Sequence, residues 1–229
     1  MFSSPQYYDL LDKFAEPGCA ICKLLQRDAA RYIDSLLYEY VNDVATQRHY
    51  RAARGLCNVH SWQMQQSKGS VLNIAILSSQ ALDEIETLEA GPMRGGLNLR
   101  RNKSSLADAL QPTAPCPACT RLNEAEAMIV DCLGKNLDEP RLQTAFRDSA
   151  GLCLHHVRLV LRYLDKPAQA ETFIAIQRDT WARLQAELQE FIRKADANFT
   201  GEGFGTEADS WQRAISALAG EPGVFGLRR

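Results

Sequence analysis

Residues 19–22 read Cys-Ala-Ile-Cys and residues 55–60 read Gly-Leu-Cys-Asn-Val-His; residues 116–119 read Cys-Pro-Ala-Cys and residues 151–156 read Gly-Leu-Cys-Leu-His-His. The second pair of motifs repeats the first, since 116 − 19 = 97 and 153 − 57 = 96. Offsets that agree to one residue mark an internal duplication, and they absorb six of the seven cysteines. Thiolates and an imidazole gathered four at a time are what a structural zinc site requires. The spacing predicts two Cys3His sites: Cys19, Cys22, Cys57 and His60 in the first copy, and Cys116, Cys119, Cys153 and His156 in the second. On this reading each site staples its own copy. Two zinc ions per chain are the expected cofactors, with an iron–sulfur cluster as the alternative. Covalent haem does not fit, because Lys23 and Thr120, not histidines, follow the CxxC pairs.

Outward from these motifs, apolar residues recur at three- and four-residue spacing and nowhere alternate strictly, so the chain reads as all-α. The expected stripes are Ile33, Leu36, Leu37, Tyr40, Val41 and Val44 after the first CxxC, and Leu72, Ala75 or Ile76, Leu82, Ile85 and Leu88 after its CxxH. The second copy offers Leu122, Ala125, Ile129 and Leu133, then Phe173, Ile176, Thr180, Leu184, Leu188 and Phe191. Ile74-Ala75-Ile76 recurs as Ile174-Ala175-Ile176 at an offset of 174 − 74 = 100, which suggests about four residues inserted after the second site. The predicted organisation is a first helical repeat over 1–90, a linker over 91–114, a second repeat over 115–195 and a tail over 196–229 that docks on the core. Arg94, Arg100, Arg101 and Lys103 in the linker read as solvated charge.

In the ligand motifs, CxxC is expected on a tight knuckle and CxxH in the first turn of a helix, where i and i+3 share a face. Gly55 and Gly151 suit the left-handed residue that lets the chain turn into that helix. The helix N-terminus then favours the thiolate forms of Cys57 and Cys153. Register selects His156 over His155, which aligns with Val59 and becomes a neighbour of the site. Cys132 aligns with Ser35 and reads as a small buried hydrophobe, and His49 lies outside the duplicated chemistry. In the tail, Thr206-Glu207-Ala208-Asp209 has the form of a capping box, and Trp211, Ile215 and Leu218 form the face expected to dock on the protein itself.

Composition bounds the partners. The 229 residues are 45% hydrophobic and 24% charged, an ordinary globular balance. A formal charge of −2 supplies no field for nucleic acid or an anionic membrane, so a nucleic-acid partner is not expected. The first twenty residues carry no signal-peptide core and no apolar run spans a bilayer, which places the chain in the reducing cytoplasm.

Together with the CxxC and GLCxxH motifs, the runs Tyr32-Ile33-Asp34-Ser35-Leu36-Leu37-Tyr38-Glu39 and Glu207-Ala208-Asp209-Ser210-Trp211-Gln212-Arg213-Ala214 resemble an uncharacterised bacterial family of domain-of-unknown-function proteins. The resemblance covers nearly the whole chain and implies the shared Cys and His ligands but no activity. Four protein ligands leave a metal no open position, and no HExxH, phosphate-cradling loop or nucleophile elbow is present. The sequence therefore points to a non-enzymatic zinc-bound scaffold or adaptor for another protein, with homodimerisation an open possibility. A thiol-based redox or metal-responsive switch is the second reading, and an enzyme or small-ligand binder using a crevice between the repeats the third. Closed sites, with zinc-bound thiolates held by packed helices, further predict slow and similar metal release from both under oxidant.

Overall fold

The structure, a computed structural model, describes residues 4–67, 69–89, 107–196 and 201–225, and all regular structure among them is helical. Most of the expected linker, with Arg94, Arg100, Arg101 and Lys103, lies outside the described residues. The first copy contributes α2 (Ala20–Tyr38), α3 (Val44–Ala52), α4 (Asn58–Gln65) and α5 (Val71–Glu89). The second contributes α6 (Pro117–Lys135), α7 (Pro140–Asp148), α8 (Leu154–Tyr163) and α9 (Pro167–Ala195). Helix starts keep the duplicated register: 117 − 20 = 97, 140 − 44 = 96, 154 − 58 = 96 and 167 − 71 = 96. Outside the repeat stand α1 (Pro5–Phe14) and α10 (Ser210–Ala219).

This register corrects the inferred insertion. The buried positions of α5, Leu77 and Ala81, map at 96 onto Phe173 and Gln177 of α9, all of them buried. Ile-Ala-Ile is displaced by one helical turn inside otherwise equivalent helices. The expected α5 stripe is corrected too, because Leu72 and Leu82 face solvent at 72% and 59% exposure. In α9 the expected line holds, with Phe173, Ile176 and Thr180 buried.

The chain forms two compact units that cut across the repeats. Unit 1 combines Met1–Arg27 with Ala125–Phe225, and unit 2 is Asp28–Glu124, so the boundaries fall inside α2 and α6. Unit 1 is centred on Phe146, whose ring stacks on Phe173 at 5.4 Å and lies 5.2 Å from Phe14. These contacts join α7 to both α1 and α9. Leu10, Leu133, Leu137 and Leu142 complete a fully buried layer. Truncating such an aromatic typically costs about 3–5 kcal/mol. Unit 2 packs α3 and α4 on α5 around Ile33, Leu36, Leu37, Tyr50, Met64 and Leu77. The Asp43 side chain caps α3 by accepting the Thr46 N–H at 2.7 Å.

The C-terminal segment departs from expectation in detail. Thr206–Asp209 is a turn and not a capping box: α10 starts at Ser210 with Asp209 as N-cap and no side-chain cap bond. The Glu207 carboxylate instead accepts the Gly205 N–H at 2.9 Å and Lys194 Nζ at 2.8 Å. The face of α10 carrying Trp211, Ile215 and Leu218 is exposed, so that stripe does not dock. The helix lies on α8 and α9 through its opposite side, where Ser210 is buried and Arg213 pairs with Glu187. Small residues there permit close approach, and the ion pair fixes the orientation. Docking comes from the residues after α10: Glu221 Oε1 accepts the Cys19 N–H at 3.3 Å, and the Pro222 carbonyl accepts Gln26 Nε2 at 2.9 Å. No helix among the described residues is long and apolar enough to cross a membrane.

Candidate metal centres

All four ligand motifs occupy one local structure. Cys19, Cys57, Cys116 and Cys153 each immediately precede a helix, and Cys22, His60, Cys119 and His156 each sit in that helix's first turn. The first-turn backbone bonds are alike: Lys23 N–H to Cys19 O at 3.0 Å, Ser61 to Cys57 at 2.8 Å, Thr120 to Cys116 at 3.0 Å and Val157 to Cys153 at 2.9 Å. The CxxC pairs are thus helix starts and not free-standing knuckles. Pro117 at the first helical position of α6 stiffens that start, because proline has no N–H to lose there. Gly55 and Gly151 precede the CxxH helices with φ of 93° and 77°, the left-handed conformation expected of them.

Each cluster joins two helix N-termini, but the partnership differs from the one read in the sequence. Cys19 and Cys22 meet Cys153 and His156, while Cys57 and His60 meet Cys116 and Cys119. All eight expected residues fall in the two clusters, and the pairing within each copy is corrected to a pairing between copies. The crossed pairing follows the compact units: the first four residues all belong to unit 1 and the second four to unit 2.

The geometry suits one tetrahedral ion per cluster. Zn–S near 2.3 Å and Zn–N near 2.0–2.1 Å imply tetrahedral edges of about 3.8 Å between sulfurs and about 3.5 Å from sulfur to nitrogen. In the first cluster His156 Nδ1 lies 3.2, 3.3 and 3.4 Å from the sulfurs of Cys153, Cys19 and Cys22, and Cys22 is 3.8 Å from Cys153. In the second, His60 Nδ1 lies 3.2, 3.4 and 3.7 Å from Cys57, Cys119 and Cys116, and Cys119 is 3.6 Å from Cys57. These sulfur separations are far above the roughly 2.05 Å of a disulfide, and all seven cysteines are free.

Electrostatics divides each set into one thiolate and its donors. Donation from Cys116, working against burial and helped by His60, holds the Cys57 thiol down at about 3. Burial and the Cys57 thiolate push Cys119 up to about 11. Cys153 is likewise held far below the ordinary thiol range by Cys19, Cys22 and His156, whereas Cys22 is raised by its thiol neighbours. Burial would lower His156, but Cys153, Cys19 and Glu126 outweigh it and hold the imidazole at about 11. A dication would replace these shared protons, so loading the clusters releases protons.

The surroundings of the two clusters are unlike. Cys19, Cys22, Cys153 and His156 are all buried, whereas Cys57, Cys116 and Cys119 are half-buried around a buried His60. Glu126 Oε1 accepts His156 Nε2–H at 2.9 Å and also lies 3.5 Å from His155. His155 is a neighbour of the site, its ring 4.4 Å from that of Phe225. His60 Nε2 is buried with no hydrogen-bond partner among the described residues. Glu126 was not read from the sequence as part of a site. Its signal is positional: 126 − 97 = 29, so the first copy holds Ala29 where the second holds Glu126. Cys132 and His49 stay outside both clusters; Cys132 is buried beside Ser4, and His49 Nε2 lies 3.3 Å from the Pro115 carbonyl.

No solved structure matches the chain. An uncharacterised 23.9 kDa protein in the xynA 3′ region of Caldicellulosiruptor sp. (strain Rt8B.4) is 22% identical over 223 residues, covering 92% of this chain and 99% of that protein. A family model described as a family of unknown function matches residues 99–223, a span that contains Cys116, Cys119, Cys153 and His156. That span is more than half of the chain, which therefore belongs to the family of unknown function DUF6062.

Proposed function

We propose that the protein is a zinc-bound helical scaffold carrying two structural Cys3His zinc ions, and that it serves as a non-enzymatic adaptor for another protein in the cytoplasm. The observation that supports this reading is the pair of crossed tetrahedra, whose edges of 3.2–3.8 Å match a four-coordinate zinc with no free position. A closed coordination sphere supplies neither a water to activate nor a vacant position for substrate, so the ion's contribution is to folding. Structural zinc in small domains contributes on the order of 10 kcal/mol or more, comparable with the net stability of a whole domain. Each ion would hold together helices that are remote in sequence.

Elemental analysis and native mass spectrometry of the reduced, purified chain test the metal reading. Two zinc ions per chain are expected; one or none overturns it, and iron with visible absorption replaces it with a cluster protein. Retention of a protein partner by the zinc-loaded chain and its loss after chelation test the adaptor reading.

A further inference from the structure

The matched ligand spacing points to two equivalent sites, but the residues around them do not. In the first cluster, His156 is fixed at both ring nitrogens: Nδ1 faces three sulfurs and Nε2–H is held by Glu126 at 2.9 Å. A carboxylate on the far nitrogen of a ligating histidine orients the ring and strengthens it as a donor. All four ligands are buried, and the Cys19 N–H is itself held by Glu221 of the tail. A cavity of about 90 Å3 touches Cys19 and Cys153, room for a few waters. Among the described residues the second cluster has none of these supports. There His60 Nε2 has no hydrogen-bond partner, the residue in register with Glu126 is Ala29, and three of the four ligands are half-buried.

We infer that the two metal sites are unequal by construction: Glu126 is a positioning residue that makes Cys19, Cys22, Cys153 and His156 the permanent site, and Cys57, His60, Cys116 and Cys119 form the exchangeable one. The exchangeable site would accept or yield a thiophilic dication while the other holds the fold. This rests on the zinc reading and assigns distinct roles to the two ions.

The test uses the full-length, zinc-loaded chain and an excess of the chromogenic chelator 4-(2-pyridylazo)resorcinol, with iodoacetamide added after the first phase of release. Two phases of one equivalent each are expected. Mass spectrometry should then find Cys57, Cys116 and Cys119 alkylated, with Cys19, Cys22 and Cys153 protected. Glu126→Ala should leave two ions bound and the cobalt-substituted spectrum unchanged, yet accelerate the slow phase roughly 10- to 100-fold. Glu126→Gln, which keeps an acceptor oxygen for His156 Nε2–H, should restore most of the difference. If Glu126→Ala does not fold, Glu126→Asp takes its place, because the shorter side chain withdraws the oxygen. Release of both ions in a single phase, alkylation of Cys19 and Cys22 first, or an unchanged slow phase in the Glu126 variant overturns the inference while leaving the zinc reading intact. A wild-type chain without metal overturns that reading instead.

Discussion

The two Cys3His clusters share ligand types, spacing and helix positions, yet one is buried and braced while the other is half-buried with an imidazole nitrogen that has no hydrogen-bond partner among the described residues. Duplication copied the ligands because they are few and local. It did not preserve what surrounds them, since each cluster draws its neighbours from both copies, and the copies have diverged at positions such as Ala29 and Glu126. Metal-ligand identity is therefore a poor guide to how firmly an ion is held. On the inference of unequal sites, the supporting carboxylate and the burial of the sulfurs would decide that.

The largest expected contrast comes from removing a ligand. Cys153→Ser should lose one ion and destabilise the protein by several kcal/mol, because it leaves three buried ligands around an empty centre. Cys116→Ser should also lose one ion, at a smaller cost, since two of its three partners, Cys57 and Cys119, are already half-buried. Metal counting and calorimetry check both, and equal losses of stability would break the comparison. Next come the paired glycines. A Cβ at Gly151 would stand 2.8 Å from Gln177 Nε2, but at Gly55 its nearest neighbour is Tyr50 Oη at 3.6 Å. Both substitutions pay about 1–2 kcal/mol for the left-handed backbone. Gly151→Ala should add overpacking to reach about 2–4 kcal/mol, and denaturant midpoints that fell equally would show the surroundings to be alike.

Cys132→Ser should keep both ions and cost about 1–3 kcal/mol as a buried polar replacement, with Ser4 and Asn136 within reach of the new hydroxyl. Loss of an ion there would enlarge the ligand set and undo the symmetry on which the comparison depends. The smallest effect concerns the tail that borders the buried site. Gly205 N–H and Lys194 hold the Glu207 carboxyl at about 2, below its ordinary value. A depressed carboxyl stabilises the folded form above its unfolded-state pKa and loses that contribution as pH falls through the folded value. In the folded chain the Glu207 carboxyl should accordingly stay ionised, and keep its bonds to Gly205 and Lys194, at pH values where an ordinary carboxyl protonates, as an NMR titration of the Glu207 carboxyl carbon would show.

The Cys and His residues that cluster, and the helical plan, were legible in the sequence because both depend on short-range spacing. Cys and His three apart mark one helix turn, and repeating that turn at 97 and 96 residues fixes the rest. Which CxxC joins which CxxH was not legible. Each CxxC faces two chemically identical choices, and only the packing of units assembled from both copies decides between them. Glu126 was hidden beside Asn123 and Glu124, among the polar residues that separate the apolar positions Leu122, Ala125 and Ile129, where periodicity reports burial and is silent on a polar partner. The α10 stripe misled for the converse reason: an apolar face is a candidate for burial, but the Arg213–Glu187 ion pair and the buried Ser210 turned it outward.

Crossed pairing also makes the sites nested along the chain, one inside the loop that the other closes. The inner set spans 119 − 57 = 62 residues, and the outer set 156 − 19 = 137. Closing the longer loop costs only about 0.7 kcal/mol more, so the thermodynamic consequence is slight. The temporal one is larger. During synthesis the inner ligands are complete once Cys119 has emerged, whereas Cys19 and Cys22 must await His156. At roughly 5–20 residues per second, that delay is about 7–27 s. Throughout it the N-terminal segment keeps two unligated thiols together with Leu10, Leu11 and Phe14, side chains whose burial depends on residues not yet made. The stretch around Cys19 is thus expected to stay open to oxidation and aggregation until Cys153, His156 and the helices that carry them arrive.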